Sequence, residues 1–104
     1  MKNMELKITR EKTQEGVKFF LEGSITSYNA DTLQKELESA QKEGIYNILL
    51  NMLHVEYLSS TGIKVLVKNF KSAKKAGGRL SIETPSERVR SILEMVALDE
   101  LMIN

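Results

Sequence analysis

Cysteine and tryptophan are absent from this chain of 104 residues, and proline and histidine each occur once. Without cysteine there can be no disulfide, no thiol nucleophile and none of the usual structural zinc ligand sets, which fits a reducing compartment and makes the cytoplasm the expected location. No stretch approaches the ~20 apolar residues that a membrane-spanning helix needs. Met1-Lys2-Asn3-Met4-Glu5 leads into an alternating pattern instead of an apolar run, so no export signal or anchor is expected. A surplus of either charge is also lacking. Fifteen Lys and Arg stand against fourteen Asp and Glu, a formal net charge of +1, which draws the chain as a whole to neither nucleic acid nor anionic lipid. Any electrostatic partner surface must therefore be local.

What is present is globular in balance, with 41% hydrophobic and 28% charged residues, and the length suits one domain spanning residues 1–104. Leu6 and Ile8 alternate with polar neighbours, as do Val17, Phe19 and Leu21, and Gln14-Glu15-Gly16 lies between, which predicts a β-hairpin. Asn29 stands where it can cap a helix with inner face Ala30, Leu33, Leu37 and Ala40. The pairs Asp31/Lys35 and Glu38/Lys42 support that helix, and Gly44 stops it. Residues 45–52 contain Ile48-Leu49-Leu50, the expected central strand, followed by a loop over residues 51–62. From Ile63 the residues Leu66, Val67, Phe70 and Ala73 keep helical spacing until Gly77-Gly78, with Lys64, Lys68, Lys71 and Lys75 on the opposite side. Arg79 to Glu83 alternates as a strand. Thr84-Pro85-Ser86-Glu87 matches a capping box with proline in the first helical position. Val89, Ile92, Leu93 and Val96 then give a buried stripe, and Leu101-Met102-Ile103 adds a short last strand. The expected class is α/β, a mixed sheet with helices packed on it in the order ββαβαβαβ.

Chemistry in such sheets gathers where strands end and helices begin. Here that place holds Ser59-Ser60-Thr61-Gly62, three hydroxyls at a helix start, where a phosphate would meet free N–H groups; the plainer alternative is that Ser59 or Ser60 simply caps the helix. His54 reads as polar surface, with a phosphocarrier role as the alternative. The lysine stripe reads as a solvated face, or as a surface for an acidic partner or nucleic acid. Met95 and Met102 read as core filler, or as part of a lipid or ligand surface. With no thiol, no zinc-binding spacing and no glycine-rich phosphate loop, neither enzymatic activity nor a cofactor or metal is expected.

The stretches Leu21-Glu22-Gly23-Ser24-Ile25, Ile48-Leu49-Leu50-Asn51, Val55-Glu56-Tyr57-Leu58-Ser59-Ser60-Thr61-Gly62-Ile63-Lys64-Val65-Leu66 and Arg88-Val89-Arg90-Ser91-Ile92-Leu93-Glu94-Met95-Val96-Ala97-Leu98-Asp99 together resemble the STAS domain of sulfate transporters and bacterial anti-sigma factor antagonists. The resemblance covers nearly the whole chain. In the antagonists, a serine in this turn is phosphorylated by a partner anti-sigma factor kinase, and the unphosphorylated form binds that partner to free the sigma factor. By position the resemblance implies Ser60 as phosphoacceptor. It implies partner contacts from Ser24, Ile25, Thr26, Ser59, Thr61, Gly62, Ile63 and Lys64, a phosphatase to reset the switch, and no direct contact with nucleic acid. The chain departs from the usual antagonist pattern at three acidic positions, where it has Thr26, Asn51 and Ser59. The alternative the resemblance allows is a non-switching STAS subunit of a transporter or signalling scaffold.

Overall fold

The computed structural model describes residues 5–103, so residues 1–4 and Asn104, the two ends of the pattern above, lie outside the described residues. Strands β1 (Leu6–Lys12) and β2 (Val17–Ile25) form the expected antiparallel hairpin. Thr13 closes its turn: its N–H donates to the Gly16 carbonyl and its hydroxyl accepts from the Gly16 N–H, each at 2.9 Å. The chain then crosses through helix α1 (Ala30–Lys42) to β3 (Asn47–Leu58), and through α2 (Ser60–Lys75) to β4 (Arg79–Pro85). Helix α3 (Glu87–Met95) and a turn of 3-10 helix, Asp99–Leu101, follow. The strands lie in the order β1-β2-β3-β4, with β2, β3 and β4 parallel, so the sheet is mixed as expected. No helix of the described residues is long and apolar enough to cross a membrane.

The core sits on one face of this sheet. Register places Phe19 beside Leu50 and Leu50 beside Ile82, and onto them pack Leu33, Leu37 and Ala40 of α1 and Leu66 and Ala73 of α2, all buried. On the other face Lys18 reaches Glu83 at 2.7 Å and lies 5.1 Å from the centre of the Phe20 ring. The helix pairs Asp31/Lys35 and Glu38/Lys42 form at 3.2 and 3.6 Å. Arg10 of β1 forks onto both carboxylate oxygens of Glu43, just past α1, at 2.9 Å each. The hydrogen bonds from Arg10 hold the Glu43 carboxyl below its usual range, so this pair's support is present at neutral pH and is lost as falling pH protonates Glu43.

Several expected boundaries move. β3 does not yield to a loop at residue 51 but continues to Leu58, because β2 stays alongside it: Ser24 pairs with Tyr57 and Ile25 with Leu58, and Val55 and Leu58 are buried. His54 therefore stands on a strand. Asn51 marks a register shift against β4 instead of the strand's end, its side chain accepting from the Leu53 N–H at 3.1 Å. The capping box at Thr84 is not formed. Thr84 and Pro85 finish β4, an edge strand, where proline is tolerated, and the cap is Ser86, whose hydroxyl accepts from the Val89 N–H at 3.1 Å and donates to the Val55 carbonyl at 2.7 Å. The last strand shrinks to one bridge between Met102 and Ile82, with Leu101 in the 3-10 turn, so the order is ββαβαβα. Met102 is core, as expected. Met95 is 83% exposed, because it lies two residues, about 200°, around α3 from buried Leu93. Val96, past the helix end, is exposed as well.

All three helices end in one way. The N–H two residues past the C-cap bonds back to a carbonyl of the last turn: Ile45 to Ala40 at 3.0 Å, Gly78 to Ala73 at 2.9 Å, and Leu98 to Leu93 at 2.8 Å. This closure needs a left-handed residue just before that N–H. Gly44 (φ 83°) and Gly77 (φ 90°) supply it for α1 and α2, but α3 uses Ala97 (φ 59°), whose Cβ makes the conformation costly. Ala97→Gly should therefore raise stability by about 0.5 to 1 kcal/mol in equilibrium denaturation, relief of backbone strain outweighing the extra freedom of the unfolded chain. A loss of stability would show that Ala97 is unstrained.

Candidate functional site

β2 and β3 end side by side, and their outgoing connections meet at the carboxyl end of the parallel strands. The joint is Ser59. Its N–H donates to the Ile25 carbonyl at 2.8 Å, its carbonyl accepts from the Ile63 N–H at 2.9 Å, and its hydroxyl accepts from the Gly62 N–H at 3.0 Å. Ser59 is extended (φ −75°, ψ 165°) and only 8% exposed. It is the N-cap of α2. Ser60, the first helical residue, and Thr61 are exposed, so the two neighbouring serines have opposite situations: one hydroxyl is buried and engaged, the next faces solvent.

Gly62 lets the helix come this close to the strands. A Cβ on it would stand 2.7 Å from Ile25 Cγ2 and 2.9 Å from Leu58 Cδ1. Along the facing loop, the Thr26 hydroxyl accepts from the N–H groups of Tyr28 and Asn29 at 3.2 and 3.3 Å. Asn29 occupies the N-cap position of α1 as expected, yet its side chain makes no cap bond. It braces the loop instead, accepting from the Thr26 N–H at 2.8 Å and donating to the Ser24 carbonyl at 2.9 Å. The rotation of α2 is set by a seam of amides against α1. Asn69, 2% exposed, donates to Gln34 at 2.7 Å and to the Val65 carbonyl at 2.8 Å and accepts from Gln41 at 2.9 Å, and Ser72 donates to Gln41 at 2.6 Å.

The residues expected to meet a partner thus divide. Ser24, Ile25, Thr26, Ser59 and Gly62 are buried and Ile63 is half-buried, so in this structure they hold the surface instead of forming it; Ser60, Thr61 and Lys64 form it. Two exposed aromatics join them on the same connections: Tyr28, 95% exposed, in the loop before α1, and Tyr57 near the end of β3, opposite Ser24 in register. An aromatic alone in a polar loop was the signal for Tyr28. Asn69 had none, because one polar residue in an apolar stripe looks like a gap in it. Lys64, Lys68, Lys71 and Lys75 are all exposed. His54, exposed on β3 opposite Glu22, belongs to no metal-binding group among the described residues. A cavity of about 610 Å³ lies at the other end of the sheet, lined by Thr13, Asn47, Leu49, Arg79, Ser81 and Met102, away from the serine turn.

The site is thus a four-stranded mixed sheet whose crossover helix opens on a solvent-facing serine. The STAS domain family model matches residues 7–104, and the chain belongs to that family. Relatives include the anti-sigma-B factor antagonists of Bacillus subtilis, 27% identical over 99 residues (95% of this chain, 90% of that protein), and of Listeria monocytogenes, 30% identical over 101 residues (96% and 87%). Solved structures with the same fold include the anti-sigma factor antagonist SpoIIAA in its unphosphorylated form, with a TM-score of 0.82, 19% identity and coverage of 93% of this chain and 86% of that one. The phosphorylated form of SpoIIAA from Bacillus matches with a TM-score of 0.75, 18% identity and coverage of 95% and 89%.

The two serines should separate in stability measurements. Ser59→Ala removes the cap and orphans the Gly62 N–H, and should cost about 1 kcal/mol, whereas Ser60→Ala should stay within about 0.5 kcal/mol of the parent. Gly62→Ala should cost roughly 1 to 3 kcal/mol through overpacking against Ile25 and Leu58. Chemical denaturation of the three variants checks the set, and equal losses at Ser59 and Ser60 would contradict the assignment of the cap.

Proposed function

We propose that this chain acts as a single STAS domain and is an anti-sigma factor antagonist working by partner switching in the cytoplasm. Unphosphorylated, it binds an anti-sigma factor kinase; phosphorylated on Ser60, it lets that partner go, and a phosphatase resets it. The observation that carries this is the contrast at the helix start. Ser59 is committed to the cap, which leaves Ser60 as the solvent-facing serine of the turn, in a chain whose relatives are named anti-sigma-B factor antagonists. Because Ser60 is not the cap, modifying it leaves the helix start intact.

The partner surface in this reading is Ser60, Thr61 and Lys64 with Tyr28 and Tyr57, supported from beneath by Ser24, Ile25, Thr26, Ser59, Gly62 and Ile63. Exposed tyrosines suit the centre of a contact, where aromatic anchors carry much of the affinity. A phosphate adds about −1.5 to −2 charges at neutral pH, and burying it in a packed contact imposes a desolvation cost that binding must overcome. Release then requires no refolding. The fold seen here matches SpoIIAA in both its unphosphorylated and its phosphorylated form, in keeping with a switch of surface charge.

The test is to incubate the protein with its anti-sigma factor kinase and ATP, map phosphate by mass spectrometry, and compare the parent with Ser60→Ala and Ser60→Asp in pull-downs. Phosphate on Ser60, retention of the partner by Ser60→Ala and its loss by Ser60→Asp are expected. No phosphate at Ser60 together with equal retention by all three proteins would contradict the switch and favour a non-switching STAS subunit.

A further inference from the structure

The lysines of α2 and Ser60 belong to one row. At 100° per residue, Ser60, Lys64, Lys68, Lys71 and Lys75 fall within about 80° of the helix circumference, and all are exposed. α2 contains no Asp or Glu. Among the described residues the ion pairs are Arg10 with Glu43, Lys18 with Glu83, Lys35 with Asp31 and Lys42 with Glu38; none uses a lysine of this row. The loop packed against the turn, residues 24–29, carries no charged side chain. The acids of the two elements flanking the row are Glu56 on β3 and Asp31, Glu36 and Glu38 on α1; Asp31 pairs with Lys35 at 3.2 Å, and Glu38, which shares a groove with Lys68, pairs with Lys42 at 3.6 Å.

We propose that Lys64 is the built-in counter-ion of a phosphate on Ser60. This deepens the switch reading and rests on Ser60 being the phosphoacceptor. Residues four apart on a helix have Cβ atoms about 5 to 6 Å from each other, and an anion on the N-terminal side of a lysine at this spacing is the favourable order. A phosphomonoester dianion on Ser60 therefore has a single lysine within reach along the row. Lys68, eight residues on, lies about 12 Å further along the axis. The contact does two things at once. It stabilises the dianion in the free, phosphorylated protein, and it engages Lys64, one turn along from Ser60 on the partner-facing surface. The head of the row thereby changes from cationic to net anionic.

The test needs no kinase. Phosphoserine is installed at position 60 of the full chain by genetic encoding, and the second ionisation of the phosphate is followed by phosphorus NMR in the parent, Lys64→Gln, Lys64→Arg and Lys68→Gln. A nearby cation favours the dianion and so lowers that pKa. The parent is expected roughly 0.3 pH units below Lys64→Gln, with Lys64→Arg restoring the parent value and Lys68→Gln leaving it unchanged. The gap should narrow in 1 M salt, where the screening length falls to about 3 Å. Equal pKa values in the parent and Lys64→Gln, or an equal rise in Lys68→Gln, would overturn the proposal. Because the phosphate is installed without the kinase, that failure is distinct from the absence of kinase-dependent phosphate at Ser60, which would overturn the acceptor reading itself.

Discussion

The hydrogen bond from the Ser59 N–H to the Ile25 carbonyl, 2.8 Å long, is the constraint on which the functional end of the molecule depends. It joins the last residue of β2 to the residue that starts α2, after β2 and β3 have run in parallel to the same point, Ile25 beside Leu58. The remaining polar atoms of Ser59 then begin the helix, through its carbonyl to Ile63 and its hydroxyl to Gly62. Gly62 must be small because this tie draws the helix start onto Ile25 and Leu58. Ser60 is left outside as a geometric consequence. Once Ser59 is the cap, the next residue opens the first turn on the side away from the sheet.

The same economy recurs at the three positions where the antagonists this chain resembles usually carry acids. Thr26 accepts from Tyr28 and Asn29, Asn51 from Leu53, and Ser59 from Gly62, so each supplies a neutral oxygen to backbone N–H groups. A neutral acceptor keeps the turn in shape while placing no fixed negative charge there. With no acid on α2 and lysines along its exposed side, the helix that Ser60 opens carries no fixed negative charge of its own. The surface chemistry and the local backbone geometry are thus separable, and a modification can act on the first without disturbing the second.

Much of this was legible because short-range rules wrote it. The alternation of Val17, Phe19 and Leu21, the stripe of Leu33, Leu37 and Ala40, and the stops at Gly44 and Gly77 are local signals that tertiary contacts then reinforced. What escaped depended on distant partners. β3 outran its apolar run because β2 lay beside it to the end, and Thr84 and Pro85 stayed in β4 because Asn51 and Met52 paired with them. Asn69 looked like an interruption of an apolar stripe until Gln34 and Gln41 came across from α1 to satisfy it. At the site, adjacent serines have the same local propensity to cap. Only the tie to Ile25 decides which is buried, and no spacing rule contains it.

If the turn is held as described, a phosphate on Ser60 changes charge and leaves the fold alone. Backbone amide NMR spectra of the protein with and without phosphate on Ser60 test this most directly. The prediction is that shift changes are confined to residues 59–64 and the facing loop 24–29, with the amides of Phe19, Leu50 and Ile82 in the sheet unmoved. Changes spreading through those sheet residues would contradict it, because they would mean that the switch works by rearranging the core and not by charging a surface that Ser59 holds fixed.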